Sequence, residues 1–468
     1  MQDTDAALAD LWTLSGLPTQ LLGPVALSGK DPVLPSSFRV GLAAQLSIAA
    51  VACAANAIWQ MRTGRRQQVG VDMRHAAAEF RSERYLHINA VPAPQPWDKI
   101  AGLYPCGDGR WVRLHTNFPH HRKGILQLLG CRYGRASVQR ALNTWTAEAF
   151  EEAVAQAGLC ATMLRSFMEW DAHPQGRAVA TLPVLTISRI GEAPPRPFTA
   201  DARCPLSQVR VLDLTRIIAG PVCCRALAAH GADVLAVSAA HLPAIEAGVI
   251  DTGRGKRSTF VDLRTPSGQQ TLAMLLAAAD IFVQGYRPGA LAGHGFGPQE
   301  AIALRPGLVY VSLSAYSHHG PWAGRRGFDS LVQTASGFNH AEAAAAGLTE
   351  PQPLPCQALD HASGYFAALG ALAARLRQAS EGGSWHVQVS LAQTGHWLRG
   401  LGRVEEGLAC PDPTVHDVAD LLEERPSGFG RLLAVRHAAQ MSETMPHWSR
   451  PSVPLGTDEP MWKASYEL

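Results

Sequence analysis

Two kinds of hydrophobic run alternate along the second half of the chain. Short runs rich in valine and isoleucine are each followed by a longer segment in which apolar residues recur at helical spacing. The short runs, which we predict as strands, are "VRVLDL" (209–214), "DVLAVS" (233–238), "STFVDL" (258–263), "DIFVQ" (280–284) and "LVYVSLS" (308–314). The clearest helix is "TPSGQQTLAMLLAAA" (265–279). Strands that alternate with helices predict an α/β fold with a doubly wound, mainly parallel sheet.

The carboxyl ends of these strands are the expected ligand site, because open parallel sheets bind ligands there. The ends lie near Thr215, Ser238, Gln284 and Ser314. The first strand runs into "TRIIAGPV" (215–222), where a helix N-terminus would offer unpaired amides to an anion. This segment lacks the G-x-G-x-x-G pattern, so a nicotinamide or flavin cofactor is not supported. Taken alone, it is more often a plain turn between strand and helix.

A basic, glycine-containing loop precedes the third predicted strand. It reads "DTGRGKRSTFVDL" (251–263) and contains Arg254, Lys256 and Arg257. A loop of this kind can present backbone N–H groups and cationic side chains to phosphate oxygens. The alternative is an ordinary solvated basic turn, and the loop alone favours that alternative.

An internal repeat relates the two halves of the chain. Residues 49–73 and 367–391 are each an Ala-rich helix, a basic turn with glycine and a strand of alternating valines. The first valines of the two strands are Val69 and Val387, an offset of 387 − 69 = 318, so Asp360 falls opposite Leu42. The helix and the strand recur, but the carboxylate does not.

Asp360 stands directly ahead of a small, apolar, helix-forming run in "LPCQALDHASGYFAALGALAARL" (354–376). Asp is among the preferred N-cap residues, and as a bare residue this one is more often a cap than a nucleophile. Because Leu is a poor cap, the comparison with Leu42 leaves both interpretations open. It indicates at most one such site in the chain.

The region between the repeat and a Pro-rich stretch has a different pattern. "GLYPCGDGRWVRLHTN" (102–117) predicts a hairpin that turns at a Gly-Asp-Gly sequence. "TAEAFEEAVAQAGL" (146–159) predicts an amphipathic helix with Thr146 as its N-cap. We therefore predict a small α+β domain over 96–190, followed by an extended linker at 191–206.

Composition narrows the function classes. The 468 residues, 47% hydrophobic and 17% charged, predict a soluble globular protein of two or three domains. The scattered net charge of +2 argues against a nucleic-acid surface. The N-terminus is not predicted to be a secretory signal, and the apolar window 42–59 is predicted to be a buried helix rather than a membrane span. Nine cysteines and 18 histidines show no metal-ligand spacing, which predicts no metal site and a cytoplasmic setting.

The ordered segments from residue 206 to about residue 403 resemble family III CoA-transferases, the CaiB/BaiF family. The resemblance is carried by "VRVLDLTRIIAGPVCCRALAAHGADVLAV", "GRGKRSTFVDL", "ADIFVQGYRPGALAGHGFG", "PGLVYVSLSAYSHHGPWA", "GFDSLVQTASG" and "LDHASGYFAALGAL". Residues 40–190 resemble the downstream half of the same family, through "TGRRQQVGVDM" and "GLYPCGDGRWVRL". The halves therefore stand in a tandem, permuted order.

The resemblance implies a fold, an activity and a set of residues. It implies a transferase that moves CoA from an acyl-CoA to a carboxylic acid, with Asp360 as the nucleophile that forms an anhydride and then an aspartyl-CoA thioester. The implied CoA-binding residues are Ile217, Ile218, Ala219, Arg254, Lys256, Arg257, Gly285 and Tyr286. The implied organisation is an N-terminal segment (1–95), the small domain (96–190), the linker (191–206), a Rossmann-like CoA-binding domain (207–403) and an extended tail (404–468).

Several alternatives stay open. The related α-methylacyl-CoA racemases place a histidine where this chain has Phe328, so a racemase ranks behind a transferase. Ser238, Ala239, Gly285 and Gly293 stand where the family often has polar or charged residues, which leaves a catalytically weak acyl-CoA-binding protein as a third interpretation. The resemblance implies an interlocked homodimer, and the permuted order leaves a monomer open. No membrane or nucleic-acid partner is expected.

Overall fold

The computed structural model describes residues 4–95 and 97–463. The predicted N-terminal segment begins at residue 1, the predicted small domain at residue 96 and the predicted tail ends at residue 468. These three boundary positions lie outside the described residues.

The strands in the described ranges are β1 (Val25–Ser28), β2 (Val69–Asp72), β3 (His87–Ile88), β4 (Val91–Pro92), β5 (Gly102–Pro105), β6 (Trp111–Leu114), β7 (Ala161–Met163), β8 (Leu185–Gly191), β9 (Arg210–Leu214), β10 (Asp233–Ser238), β11 (Lys256–Phe260), β12 (Ile281–Gln284), β13 (Val309–Ser314), β14 (Ser384–Ser390), β15 (Leu422–Ser427), β16 (Gly430–Val435) and β17 (Ala439–Met441).

The α-helices in the same ranges are α1 (Thr4–Ser15), α2 (Val40–Thr63), α3 (Met73–Glu79), α4 (Ser82–Tyr85), α5 (Pro119–Leu129), α6 (Arg135–Leu142), α7 (Ala147–Gln156), α8 (Phe167–Ala172), α9 (Pro174–Ala180), α10 (Ala219–Ala229), α11 (Glu246–Thr252), α12 (Pro266–Ala277), α13 (Pro298–Leu304), α14 (Asp329–Ala335), α15 (Phe338–Ala345), α16 (Ala358–Glu381) and α17 (Leu391–Gly400).

The largest sheet has seven strands in the order β11-β10-β9-β12-β13-β14-β8. Every neighbouring pair is parallel except β14 with β8. The strand order reverses between β9 and β12, which makes the crevice beyond their carboxyl ends the expected ligand site. The predicted α/β fold with a doubly wound, mainly parallel sheet is confirmed.

The predicted elements of this sheet agree with the structure except at some ends. The third predicted strand began at Ser258, whereas β11 begins at Lys256, so the basic residues Lys256 and Arg257 belong to the strand and not to a loop. Helix α12 is capped as its sequence indicates, because Thr265 Oγ1 accepts a hydrogen bond from the Gly268 N–H at 3.1 Å.

The small unit consists of the antiparallel sheet β5-β6-β7 and helices α5, α6 and α7. It has a hydrophobic core of its own, with Phe150 and Val154 of α7 fully buried. The predicted extent of this domain is wrong at its C-terminal end. Strand β8 falls within 96–190 but pairs with β14 at the edge of the large sheet, because its apolar residues Leu185 and Ile187 pack into the large core.

The internal repeat is visible in the packing. Helix α2 lies against α16, and both are 24 residues long and almost wholly buried. After each helix comes a strand with a parallel neighbour on one side and an antiparallel neighbour on the other: β1-β2-β17 repeats β13-β14-β8. Among the described residues, α2 is the one helix long and apolar enough to cross a membrane, and it is buried within the protein.

The tail after residue 404 is only partly extended, which corrects its prediction. Strands β15 and β16 form a hairpin in which β16 pairs with β3 of the N-terminal segment, and β3 in turn pairs with β4. The last part then runs along β11, where the Asp458 carboxylate accepts from the Ser258 N–H at 2.9 Å and the Met461 carbonyl accepts from Arg257 at 2.8 Å.

Candidate functional site

Asp360 is the third residue of α16 and does not cap the helix. Gln357 occupies the N-cap position and makes no side-chain cap hydrogen bond. The cap comes from α14 instead: Asp329 Oδ2 accepts from the Asp360 N–H at 2.8 Å, and the Leu359 N–H also donates to Asp329. Because Asp329 accepts hydrogen bonds from the first N–H groups of α16, the Asp360 carboxylate is not needed to cap the helix. No residue in the described ranges donates a hydrogen bond to it.

Two cavities meet at Asp360. Cavity A, of about 410 Å³, is lined by the start of α10 and by the loops after β9, β12 and β13. Cavity B, of about 220 Å³, lies between α16, α11 and the small unit, and its wall includes Trp97, His115 and Leu354. The residues that line both cavities are Ile217, Ile218, Phe328 and Asp360.

Cavity A sits at the switch point of the large sheet. Helix α10 begins there without a side-chain cap, and the N–H groups of Ala219 and Gly220 donate to no described residue. The predicted residues Gly285 and Tyr286 lie on the same wall. Ile217 has φ +76°, a conformation that is strained for a β-branched residue and is found mostly where function requires it.

Helices α10 and α16 approach closely at Gly364, one turn after Asp360. A Cβ built on Gly364 would lie 2.5 Å from the Ala219 carbonyl oxygen and 2.8 Å from the Val222 Cβ. Only glycine permits this distance, which holds the start of α10 against α16. Ala219, Gly220 and Asp360 line the same cavity A. The sequence order of the two helices does not reveal this contact.

Burial and neighbouring carboxylates set the protonation of Asp360. Desolvation raises its pKa well above the usual range, and the negative charges of Asp329 and Glu83 raise it further. Burial also raises the pKa of Asp329 to about 6, although its hydrogen bonds to the helix start act in the opposite direction. The two acids therefore hold protons more tightly than exposed carboxyls do.

The three predicted basic residues are engaged by the protein. All three guanidinium nitrogens of Arg254 donate to protein oxygens, including Asp251 Oδ1 at 2.8 Å, and Arg254 lines neither cavity A nor cavity B. Lys256 Nζ donates to Asp213 Oδ2 and to the Pro221 carbonyl, both at 2.9 Å. Arg257 makes a two-oxygen contact with Asp233. The predicted phosphate loop thus consists largely of buried ion pairs. Lys256 and Arg257 also line a further cavity, which they share with Arg216 and Ile217, and their role in binding CoA stays a prediction.

Other arginines, which the sequence analysis missed, face cavity A. They are Arg216, Arg287, Arg325 and Arg326. Arg287 and Arg326 are exposed, and neither forms an ion pair with a described residue. Arg287 stands directly after the predicted residue Tyr286, so its place in "GYRPG" was the signal available. Arg216 and Arg326 come together only through the fold, near His121.

Phe328, the residue at the position of the racemase histidine, forms part of the wall between the cavities. Its ring stacks on the His115 imidazole with centroids 3.7 Å apart. Burial lowers the pKa of His115 to about 3, so this histidine is neutral at physiological pH. Among the described residues, no group of three or more His, Cys, Asp or Glu side chains could hold a metal ion.

Known proteins resemble the part of the chain that carries this site. Residues 206–406 match CoA-transferase family III. This region, which is less than half of the chain, resembles that family. An acyl-CoA transferase of Gibberella moniliformis is 28% identical over 369 residues, which are 69% of this chain and 64% of the relative. A probable fatty acyl-CoA transferase of Mycobacterium tuberculosis is 31% identical over 46% of this chain and 59% of its own.

A solved structure of a Mycobacterium tuberculosis protein shares 33% identity with this chain, with a TM-score of 0.40, over 42% of this chain and 58% of its own. The chain therefore spans slightly under two thirds of the length of the relatives named here. The predicted resemblance to family III CoA-transferases is confirmed for residues 206–406.

Proposed function

We propose that this chain is a CoA-transferase that moves CoA from an acyl-CoA thioester to a carboxylic acid, with Asp360 as its nucleophile. The observation that carries the proposal is the position of the Asp360 carboxylate, unbonded and shared by cavity A and cavity B. A thioester held with its CoA in cavity A and its acyl group in cavity B would present its carbonyl carbon to this carboxylate.

The chemistry is balanced without any further reagent. The carboxylate attacks the thioester carbonyl, so a mixed anhydride forms and CoA thiolate leaves. The thiolate then attacks the aspartyl carbonyl, which gives an aspartyl-CoA thioester and releases the donor acid. An acceptor carboxylate repeats the two steps in reverse, which regenerates Asp360 and forms the new acyl-CoA.

The surroundings of Asp360 suit this reaction. The free amides of Ala219 and Gly220 line cavity A together with Asp360, and each would stabilise the negative oxygen of a tetrahedral intermediate by about 3–4 kcal/mol. Arg216, Arg287 and Arg326 supply positive charge to cavity A, which suits the phosphates of CoA. The raised pKa of Asp360 favours a strong nucleophile once the proton is lost.

The setting and the assembly stay predictions. We propose a cytoplasmic protein, since its nine cysteines are free thiols, and a homodimer as the family implies. The proposal includes no metal and no nicotinamide or flavin cofactor.

The substitution Asp360→Ala separates chemistry from binding. We expect loss of CoA transfer in an assay that pairs acetyl-CoA and glutaryl-CoA with free carboxylic acids, while calorimetric binding of CoA stays within a few-fold of wild type. Full turnover by this variant would refute the nucleophile. Loss of CoA binding together with transfer, from a folded variant, would assign Asp360 to substrate binding instead.

A further inference from the structure

Cavity B contains a buried cation that the transfer chemistry described above does not use. Arg113 on β6 is 8% exposed, and its Nε is buried without a hydrogen-bond partner. No ion pair or hydrogen bond joins its guanidinium to any residue in the described ranges. The Trp97 ring lies beside it, with 5.6 Å from the guanidinium carbon to the ring centroid.

An unpaired buried guanidinium is unfavourable for the folded state. Burial lowers the pKa of Arg113 to about 10, which still leaves it charged at physiological pH. A charge in this position destabilises the fold unless a partner of opposite sign arrives. A ligand that carries a negative charge would supply that partner.

The carboxylates around cavity B do not supply it. Asp251 is held by Arg225 and Arg254 at 2.7 and 2.8 Å. Glu83 faces His361 at 3.3 Å. Asp329 is near enough to raise the pKa of Arg113, but its oxygens accept from the start of α16 and from Gln333, and it forms no ion pair with Arg113 within 4 Å. Arg113 therefore has no ion-pair or hydrogen-bond partner for its guanidinium among the described residues of this wall.

The position of Arg113 indicates what its partner is. It lies on the small unit, whereas Asp360 lies on α16, and both line cavity B. The walls include the apolar side chains of Trp97, Ile245 and Leu354. An acyl chain that lies between the two groups would have its thioester at Asp360 and its far end at Arg113.

We propose that Arg113 selects acyl groups and acceptor acids that carry a second carboxylate at the end remote from the reacting carbonyl. This inference rests on the proposed function, because it assigns the acyl end of the substrate to cavity B. A guanidinium suits this task, since it can donate two parallel hydrogen bonds to one carboxylate.

Binding of unreactive ligands tests the role of Arg113 without depending on catalytic turnover. Two CoA thioethers of equal chain length, one ending in a carboxylate and one in a methyl group, are titrated calorimetrically into the wild-type chain. The carboxylate-ended compound should bind about tenfold or more tightly. Arg113→Gln should abolish that preference, and Arg113→Lys should keep part of it. The control Arg132→Gln, at an exposed arginine of the same small unit, should keep all of it.

Folding of the variant is checked by its melting temperature, which we expect at or above the wild-type value because an unpaired buried charge is gone. Equal binding of the two thioethers to wild type, or a preference that survives Arg113→Gln, overturns this inference alone. Binding of neither thioether overturns both this inference and the proposed CoA site. The binding measurement can be interpreted even if the proposed transfer chemistry is wrong, because a thioether cannot react with Asp360.

Discussion

At the scale of single residues, Asp360 shows a conflict between stability and reactivity. Its carboxylate is buried, receives no hydrogen bond in the described ranges and lies beside Asp329, so its charged form is disfavoured. An exposed carboxylate would be easier to ionise but would also be solvated by water. In the mechanism that we propose, the burial that raises the pKa of Asp360 would also keep water from the anhydride.

Asp360→Asn removes a carboxyl that resists ionisation. The pKa of Asp360 is raised in the folded state, so the stability associated with its proton is present below pH 3.8 and is lost as pH rises toward the folded-state pKa. The variant has no such loss. We expect its melting temperature to exceed that of wild type, by a difference that grows from about pH 4 to pH 7. The exposed control Asp201→Asn should show no growing difference, and parallel curves for Asp360→Asn would contradict the raised pKa.

Two substitutions distinguish a buried ion pair from an exposed phosphate contact. Lys256→Met leaves Asp213 buried and unpaired, so the free energy of unfolding in urea should fall by about 3–5 kcal/mol. Arg287→Gln alters an exposed side chain, so stability should be unchanged while the Kd for CoA rises about tenfold. The reverse pattern, a stable Lys256→Met with weakened CoA binding, would restore the phosphate role that its sequence predicted.

The sequence predicted Asp360 but not its cap or the arginines of cavity A, for a physical reason. Asp329 reaches the start of α16 from 31 positions away, and no local pattern reports such a contact. Lys256 and Arg257 look like part of a phosphate loop because their partners, Asp213 and Asp233, come from other strands. A run of cations is interpretable only when the buried carboxylates around it are known.

At the scale of helices and strands, the contact of α10 with α16 fixes the site. Gly364→Ala would place a methyl group 2.5 Å from the Ala219 carbonyl, so the start of α10 must move. We expect a loss of about 1–3 kcal/mol in unfolding free energy and a lower kcat for CoA transfer, since the amides shift from Asp360. The control is Gly293→Ala, because no atom lies within 4 Å of a Cβ built at Gly293. Unchanged kcat in a folded Gly364→Ala protein would show that these amides are not used.

Elements with a clear local pattern agreed with the sequence, and elements defined by distant pairing did not. Strand β10 follows from its short apolar run, in which Val234, Leu235 and Val237 are buried in the parallel sheet. Strands β8 and β17 were not predicted, because each is stabilised by a partner, β14 or β2, that lies far away in the chain. The local hydrophobic pattern therefore predicts the central strands of the large sheet better than its edge strand β8.

At the scale of the whole molecule, the chain packs a second, incomplete copy of its core helix and strand against the first. Leu42 and Asp360 are each the third residue of their helix. The Leu42 N–H donates to Asp31 Oδ2 at 3.2 Å, as the Asp360 N–H donates to Asp329. The repeat therefore keeps the capping carboxylate in both copies and the candidate nucleophile in one.

Pairing between the two copies predicts that they stay together when the chain is cut. A protease site inserted between Ala200 and Asp201, in the exposed linker, would separate the copies covalently. We expect the two pieces to elute together in size exclusion, because β8 pairs with β14 and β17 pairs with β2 across the cut. Separation of the pieces without denaturant would contradict this packing. The uncut protein with the same insertion is the control.

Covalent attachment of acyl or CoA groups to Asp360 is the central claim. The most direct measurement is peptide mass spectrometry of the wild-type chain after incubation with acetyl-CoA or glutaryl-CoA and quenching with hydroxylamine, which converts an aspartyl thioester or anhydride into a hydroxamate. We predict a hydroxamate on Asp360. Transfer of CoA with an unmodified Asp360, or a hydroxamate on another carboxylate such as Asp329, would contradict it.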